Sequence, residues 1–472
     1  MRLIFQSNNN MEMKNLNMEM KNLSRICMLI AVVMFGVADV YALTGSWRGN
    51  LNLGQMKVPL VFNFSETAAG ETRCTMDSPS QGAKGIATEV VLCTADSVSL
   101  TCNAIGASYT GKISAGSING RFRQRGYEFP LDLTPDRPAE ERRPQTPKPP
   151  FPYSVIDTSF TAPDGAVMSA TLTLPHTLSG KKVPAVVMVT GSGPQNRDEE
   201  YCDHKPFAVI ADFLARNGIA SLRYDDRGTG KSTGDFLTST TFTFRDDAVS
   251  GIDFLRSLDC IGKTGVLGHS EGGTIAFMAG AEDKADFIVS LAGMAVSGKE
   301  TMMRQNEHAL DKSGLSDVDK VNSLKIIGIV FDTIARQVRD GVSSPIDIDS
   351  LVAGNGVQLP LQIVQSLKMT QSTRAPWVDC LLTINPREYL AKVKCPVLAI
   401  NGEKDMQVSP DNLAVIKALV PKAEAMLMPD LNHLLQHAVT GEMTEYDEIR
   451  ETISPEVLEA IVQFINNQMQ KK

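Results

Sequence analysis

Gly268-His269-Ser270-Glu271-Gly272-Gly273 sets one hydroxyl among glycines, between apolar Thr264-Gly265-Val266-Leu267 and helix-forming Thr274-Ile275-Ala276-Phe277-Met278-Ala279. A serine becomes a useful nucleophile when a sharp strand-to-helix turn exposes its Oγ, and the crowding of such a turn demands small neighbours. The next amide, that of Glu271, then faces the oxygen on which negative charge develops. A second Gly-x-Ser-x-Gly, Gly230-Lys231-Ser232-Thr233-Gly234, follows polar Asp225-Asp226-Arg227 and leads into more polar sequence, so it reads as a loop. It is not a phosphate-binding loop either, because the first glycine of that motif would fall at Asp225.

A serine nucleophile needs an imidazole to take its proton and a carboxylate to orient that imidazole. With the nucleophile on an early strand of a parallel sheet, the expected chain order is nucleophile, acid, histidine, on loops after later strands. Asp405 follows the apolar Val397-Leu398-Ala399-Ile400 through Asn401-Gly402-Glu403-Lys404, with Glu403 as the spare carboxylate. Of six histidines only His433 and His437 follow Asp405. His433 comes a short loop after the apolar run Ala425 to Met428 and is the expected base, whereas His437, one turn on, reads as a surface or helix residue. His176, His204, His269 and His308 precede the acid, and His269 reads as part of the turn. The remaining need is a second oxyanion amide from the loop after Val183 to Thr190, where Gly191-Ser192-Gly193-Pro194 offers Ser192, with Gly193 as alternative.

These residues require a sheet that delivers strand ends to one edge. Short apolar strands alternate with helical patterns from 153 to 472: Val183 to Thr190, Ala220 to Tyr224, Gly265 to Gly268, Phe287 to Leu291 and Val397 to Ile400 read as strands, and His204 to Asn217 and Ala248 to Leu258 as helices. Strands separated by helices imply a mostly parallel sheet covered on both faces. Between about 293 and 389 the alternation lapses into helical sequence with the size of a lid. Before the linker, 43–134 shows about eight short runs with turn residues between them. Val58, Leu60, Phe62 and Phe64 share one face, as do Tyr127, Phe129, Leu131 and Leu133, as in a small all-β barrel or sandwich. Prolines 135, 138, 144, 147, 149, 150 and 152 mark 135–152 as an extended interdomain linker.

The totals agree with two folded units: 472 residues, 43% apolar and 21% charged. A net charge of -8 without a dense basic block gives no footprint for nucleic acid. A small-molecule ligand fits better, and oligomeric state leaves no mark. Lys14, Lys21 and Arg25 precede the apolar run Ile26 to Ala38 and the small-x-small Val40-Tyr41-Ala42, which reads as a signal peptide at 1–42, cut after Ala42. Its apolar run is about 13 residues, against roughly 20 for a bilayer span, so no stable membrane span is expected after cleavage and the mature chain is expected to be periplasmic or secreted. Export leaves Cys74, Cys93, Cys102, Cys202, Cys260, Cys380 and Cys395, an odd number, so at least one thiol stays free. No CxxC occurs, and neither metal nor cofactor is called for.

Taken together, Thr190-Gly191-Ser192-Gly193-Pro194, Arg223-Tyr224-Asp225-Asp226-Arg227-Gly228-Thr229-Gly230-Lys231-Ser232, the Ser270 turn, Asn401-Gly402-Glu403-Lys404-Asp405 and Asn432-His433 resemble the α/β-hydrolase superfamily, specifically its EstD-like carboxylesterase group, related to serine aminopeptidases and prolyl-oligopeptidase-type domains. Many relatives carry His where this chain has Thr190. The unit from Gly45-Ser46-Trp47 to Leu133 is similar to the β module that precedes such esterases in exported bacterial proteins. The resemblance implies a fold of mostly parallel sheet with a helical lid and a Ser270, Asp405, His433 triad that cleaves carboxylic esters through an acyl-enzyme. A peptidase or amidase, a thioesterase or acyl-transfer enzyme, and a non-catalytic binding protein on the same scaffold are the competing readings.

Overall fold

The computed structural model describes residues 43–53, 57–176, 182–342, 344–372 and 374–470. The signal peptide expected at 1–42 lies outside them. Two compact units emerge, one including 60–77 and 84–136, the other including everything from 137 onward.

The first unit is a nine-stranded sheet: β1 (Gly45–Asn52), β2 (Lys57–Glu66), β3 (Thr72–Ser78), β4 (Ala83–Cys93), β5 (Ser97–Cys102), β6 (Ala107–Ser114), β7 (Ser117–Gln124), β8 (Tyr127–Pro130) and β9 (Thr134–Pro135), in the order β8-β7-β6-β5-β4-β3-β2-β1-β9. Leu60, Phe62 and Phe64 are buried together with Met76, Leu100, Tyr109, Ile118 and Phe122. Phe62 and Tyr109 pack with their rings tilted by 31° and centroids 5.2 Å apart. The Tyr109 hydroxyl lies 3.2 Å from the carbonyls of both Ile118 and Leu131, so the one polar atom of that ring is satisfied inside. Tyr127, expected on the same inward face as Leu131 and Leu133, is 65% exposed because β8 ends the sheet and has a neighbour on one side only.

The second unit holds an eight-stranded sheet: β10 (Tyr153–Thr161), β11 (Val167–Pro175), β12 (Val183–Val189), β13 (Ala220–Tyr224), β14 (Ile261–His269), β15 (Ile288–Leu291), β16 (Val397–Gly402) and β17 (Glu424–Met428), in the order β10-β11-β13-β12-β14-β15-β16-β17. β10 and β11 pair antiparallel, as do β11 and β13, and every later pairing is parallel. β12 is buried at all seven positions. Its Ala185, Val187 and Val189 join a core with Ile252, Leu255 and Ile275 on one face, while Val186 and Met188 join Ile210, Leu214, Ile461 and Phe464 on the other. A strand covered on both sides has no polar face to alternate with, which explains its unbroken apolar run. The helix expected from Ala248 starts earlier, at Thr241, because Thr240 and Thr243 form a reciprocal cap at its end. Between β15 and β16 the insertion is helical, with its own core of Ile326, Ile327, Val330, Phe331 and Ile334.

The proline-rich segment is not an extended spacer along its length. Pro135 pairs with Trp47 in the first sheet, and 139–142 form a short helix. Arg143, 2% exposed, is locked into the second unit by the carbonyls of Cys202, Asp447 and Ile449. Proline spacing reports only the local preference for extended backbone and is blind to acceptors some 60 and 300 residues away that can bury an arginine.

Candidate active site

β14 ends on His269 and a helix starts at Glu271, so Ser270 alone makes the turn, with φ 53° and ψ -118°. Such a backbone is strained for a residue with a Cβ and persists only where the surroundings enforce it. Here the Ser270 amide donates to Leu291 O at 2.9 Å, tying the turn to the end of β15. A Cβ on Gly268 would sit 2.0 Å from Gly272 O, and one on Gly272 would sit 2.2 Å from Val189 O. Both glycines are therefore set by the turn's own crowding.

Asp405 lies on the loop after β16 and is 4% exposed. Its Oδ1 accepts from the amides of Gln407 (2.9 Å) and Val408 (2.8 Å), and its Oδ2 from His433 Nδ1 at 2.8 Å. A carboxylate held by two amides presents its other oxygen in a fixed direction, which fixes the tautomer of the ring it meets: Nδ1 carries the proton, and His433 Nε2 is left as the basic nitrogen. The loop carrying His433 is pressed onto β16, since a Cβ on Gly402 would meet Leu431 O at 2.2 Å.

Ser270 and His433 line one cavity of about 200 Å³, with Gly191, Ser192, Gln195, Glu199, Tyr201, Gln407 and Tyr446 among its walls. A larger cavity of about 700 Å³ lies elsewhere, between Phe64, Arg73, Thr88 and Asn103, and no histidine or nucleophile-base pair lines it. The loop after β12 runs hard against the turn, with a Cβ on Gly191 falling 3.1 Å from Ser270 Cβ. Ser192 and Glu271, the two expected oxyanion amides, are joined through their side chains: Ser192 Oγ donates to Glu271 Oε2 at 2.9 Å. The same carboxylate accepts from Thr241 Oγ1 (2.7 Å) and from Trp377 Nε1 of the insertion (3.1 Å). Burial raises the Glu271 pKa, opposed by those three donors. The Glu271 amide is the first of its helix, where no preceding turn supplies an acceptor.

Asp225, Asp226 and Arg227 brace this loop. Asp225 holds the Arg197 guanidinium through Nε (3.0 Å) and Nη2 (2.7 Å). Asp226 accepts from Thr190 Oγ1 at 3.0 Å and from the Gln195 amide at 2.9 Å, so a threonine supplies the anchor of this loop. Arg227 pairs with buried Asp247 at 2.6 Å and with Asp164 at 2.6 Å. Ser232 is part of the same loop: its Oγ donates to Asp225 O (2.7 Å) and accepts from the Ser169 amide (2.8 Å).

The other histidines are placed apart from the serine, with one exception. His176 is exposed, His308 meets Glu442, and His437 meets Glu451 on the surface. His204 is buried between Thr452 Oγ1 and Tyr446 O, and burial pushes its pKa down to about 3. His269 is the exception: Nδ1 lies 2.8 Å from Glu199 Oε1 and Nε2 lies 2.9 Å from His433 O. Glu199, Arg197 and Trp377 carry no sequence signal for this site, because their partners lie 28 to 106 residues away.

Comparison with known proteins places these residues in a family. Esterase EstD of Thermotoga maritima is 25% identical over 262 residues, 55% of this chain and 55% of EstD, so the chain spans about half the length of that relative. An acyl transferase of Photorhabdus luminescens is 27% identical over 142 residues, 30% of this chain and 43% of that protein. Among solved structures, Est1E of Butyrivibrio proteoclasticus with ferulic acid bound aligns at 20% identity and a TM-score of 0.41, covering 66% of this chain and all of Est1E. The sequence profile described as X-Pro dipeptidyl-peptidase (S15 family) matches residues 164–434, more than half of the chain, from the β10–β11 turn to just past His433. The chain has the α/β-hydrolase fold and belongs to the X-Pro dipeptidyl-peptidase (S15) family.

Proposed function

We propose that this hydrolase cleaves carboxylic esters of small molecules, with Ser270 as nucleophile, His433 as base, Asp405 as its orienting acid, and the Ser192 and Glu271 amides as oxyanion hole. The observation that carries the reading is the buried His433–Asp405 pair opening onto the same cavity as a strained, strand-to-helix serine. Ser270 Oγ attacks the ester carbonyl while His433 Nε2 takes its proton. The tetrahedral oxyanion is held by the two amides, and collapse expels the alcohol, which leaves with the proton from His433. Water, deprotonated by His433, then releases the acid and restores the serine.

The family's name favours a second reading, removal of dipeptides from a peptide N-terminus. That reaction needs a carboxylate to hold the substrate's ammonium group. Glu199 is the one acidic residue among those lining the cavity, and its Oε1 already accepts from the Gly191 amide at 2.7 Å and faces His269 at 2.8 Å. An ester makes no such demand, and the similarity to EstD points the same way. Turnover of p-nitrophenyl esters and of an aminoacyl-prolyl p-nitroanilide by the purified protein decides between them. Ester turnover that disappears in Ser270→Ala supports the proposal; faster anilide than ester turnover, or ester turnover that survives Ser270→Ala, overturns it.

A further inference from the structure

We propose that Glu199 and His269 are a buried ion pair that positions both halves of the active site at once, the Gly191-Ser192 loop and the His433 loop, and that the enzyme works only while the His269 ring is doubly protonated. The inference rests on the Ser270–His433–Asp405 reading above.

Both ring nitrogens of His269 face oxygens. Nε2 lies 2.9 Å from the backbone carbonyl of His433, which can only accept, so Nε2 carries a proton. Nδ1 lies 2.8 Å from Glu199 Oε1, and that same oxygen accepts from the Gly191 amide at 2.7 Å. It is thus an acceptor twice over, Nδ1 donates to it, and the ring is the imidazolium. Glu199 is 4% exposed and His269 7%, so water screens the pair little, and losing either partner strands a buried charge. The chain accepts strain to build it, since Glu199 has φ 52°, a conformation unusual for a residue with a Cβ.

Each contact has a catalytic consequence through another residue. The carboxylate fixes the amide immediately before Ser192, and so the pitch of the oxyanion loop. An uncompensated carboxylate 3.2 Å from where a Gly191 Cβ would stand would repel the charge developing on the substrate oxygen, and the imidazolium cancels it. The Nε2 proton holds the carbonyl of the general base itself. The two imidazoles also lie 4.7 Å apart, so the ring of His269 packs directly against that of the base. The charged or titratable groups facing His269 are Glu199 on the loop after β12, His433 and behind it Asp405 on the loops after β17 and β16, and Tyr201 across the cavity. Asp226 lies behind Glu199.

Burial alone would lower the His269 pKa, but the charge and hydrogen bond of Glu199, with the His433 carbonyl, outweigh it and raise the value from 6.5 to about 8. A histidine raised in the folded state contributes its stabilisation in full below 6.5 and loses it as pH rises through about 8. Activity should therefore carry an alkaline limb near pH 8 that a Ser-His-Asp triad has no reason to show, since its base works deprotonated.

The test follows kcat and KM for a p-nitrophenyl ester from pH 5 to 10, with fluorophosphonate labelling rates and near-ultraviolet circular dichroism, in the full-length wild type, Glu199→Gln, His269→Gln and Ser270→Ala. A glutamine at 199 can still accept from Gly191 and from Nδ1 through its carbonyl oxygen, but it carries no charge and so removes the counter-ion of the second ring proton. Glu199→Gln is expected to lower kcat by about 10²-fold, the usual penalty of a small misplacement, with KM nearly unchanged and the alkaline limb moved to lower pH. His269→Gln, which keeps one donor toward His433 O, is expected to lose less and to have no alkaline limb. In the wild type labelled with ¹⁵N-histidine, both ring protons of one histidine should be visible at pH 7 and one of them, that on Nδ1, should be lost as pH rises through about 8, a readout that does not depend on a folded variant. A wild-type profile flat to pH 10, a ring with a single proton, or folded variants with the wild-type profile overturns the inference while leaving the triad standing. Ester turnover that survives Ser270→Ala removes the triad reading beneath it.

Discussion

Replacing Arg143 with alanine should destabilise the second unit far more than replacing its neighbour Arg142. The Arg143 guanidinium donates to Cys202 O from Nε (3.0 Å) and Nη2 (2.7 Å), to Asp447 O (2.9 Å), to Ile449 O (2.8 Å) and to Arg142 O (3.1 Å), with the Asp447 carboxylate 3.5 Å away. Burial lowers its pKa to about 10, which leaves it charged at neutral pH. Truncation leaves the carbonyls of Cys202, Asp447 and Ile449 inside the protein without this donor. At about 1–3 kcal/mol for each unmet group, and with water refilling part of the space, the net loss should be about 3–5 kcal/mol. For a unit of this size roughly 2 °C of melting temperature is lost per kcal/mol, so Tm should fall by roughly 6–10 °C. Arg142 is half-buried, pairing with Asp203 at 2.8 Å and donating to Arg137 O at 3.3 Å. Its loss strands fewer buried acceptors and should cost about 1–2 kcal/mol.

The same bonds tie together two stretches that wall the cavity. Cys202 follows Glu199 and Tyr201, and Asp447 and Ile449 follow Tyr446. A single ammonium cannot match five directed bonds, so Arg143→Lys should recover only part of the loss. Differential scanning calorimetry of wild type, Arg143→Ala, Arg143→Lys and Arg142→Ala gives the comparison, read on the transition of the second unit. An Arg143→Ala shift under 2 °C, or one no larger than that of Arg142→Ala, would refute the reasoning.

Two further substitutions test the local arguments. Gly402→Ala would place a Cβ 2.2 Å from Leu431 O; because rigid backbone must move just ahead of His433, ester turnover should fall by at least about 10²-fold, and kinetics within threefold of wild type would show that the contact is not tight. Ser232→Ala removes the hydroxyl that joins Ser169 N to Asp225 O, so it should cost about 1–2 kcal/mol of stability with fluorophosphonate labelling intact; loss of labelling in a folded protein would reopen the choice between the two Gly-x-Ser-x-Gly motifs.

That choice shows which parts of the site a sequence can display. Gly268 and Gly272 are dictated by atoms within four residues or on the adjoining strand end, and the apolar runs on either side of Ser270 by burial on both faces of one sheet. Such causes leave a local pattern, and so Ser270 could be told from Ser232 by context alone. Asp405 and His433 were legible by a weaker rule, chain order along the sheet, and they do meet at 2.8 Å. Glu199 and Arg143 left no pattern. Glu199 matters because a histidine 70 residues later needs a counter-ion, and Arg143 because carbonyls from two distant loops converge on it. In each case the partner is supplied by the tertiary fold, so the residue's own neighbourhood can look like an acidic turn or a proline-rich spacer. The same reasoning separates roles within one motif: Asp225, Asp226 and Arg227 are consecutive, yet they brace Arg197, Thr190 and Asp247 respectively. A motif of this kind is a record of three long-range contacts compressed into one loop, which is why its residues brace the architecture while the proposed proton chemistry sits at Ser270 and the two histidines beside it.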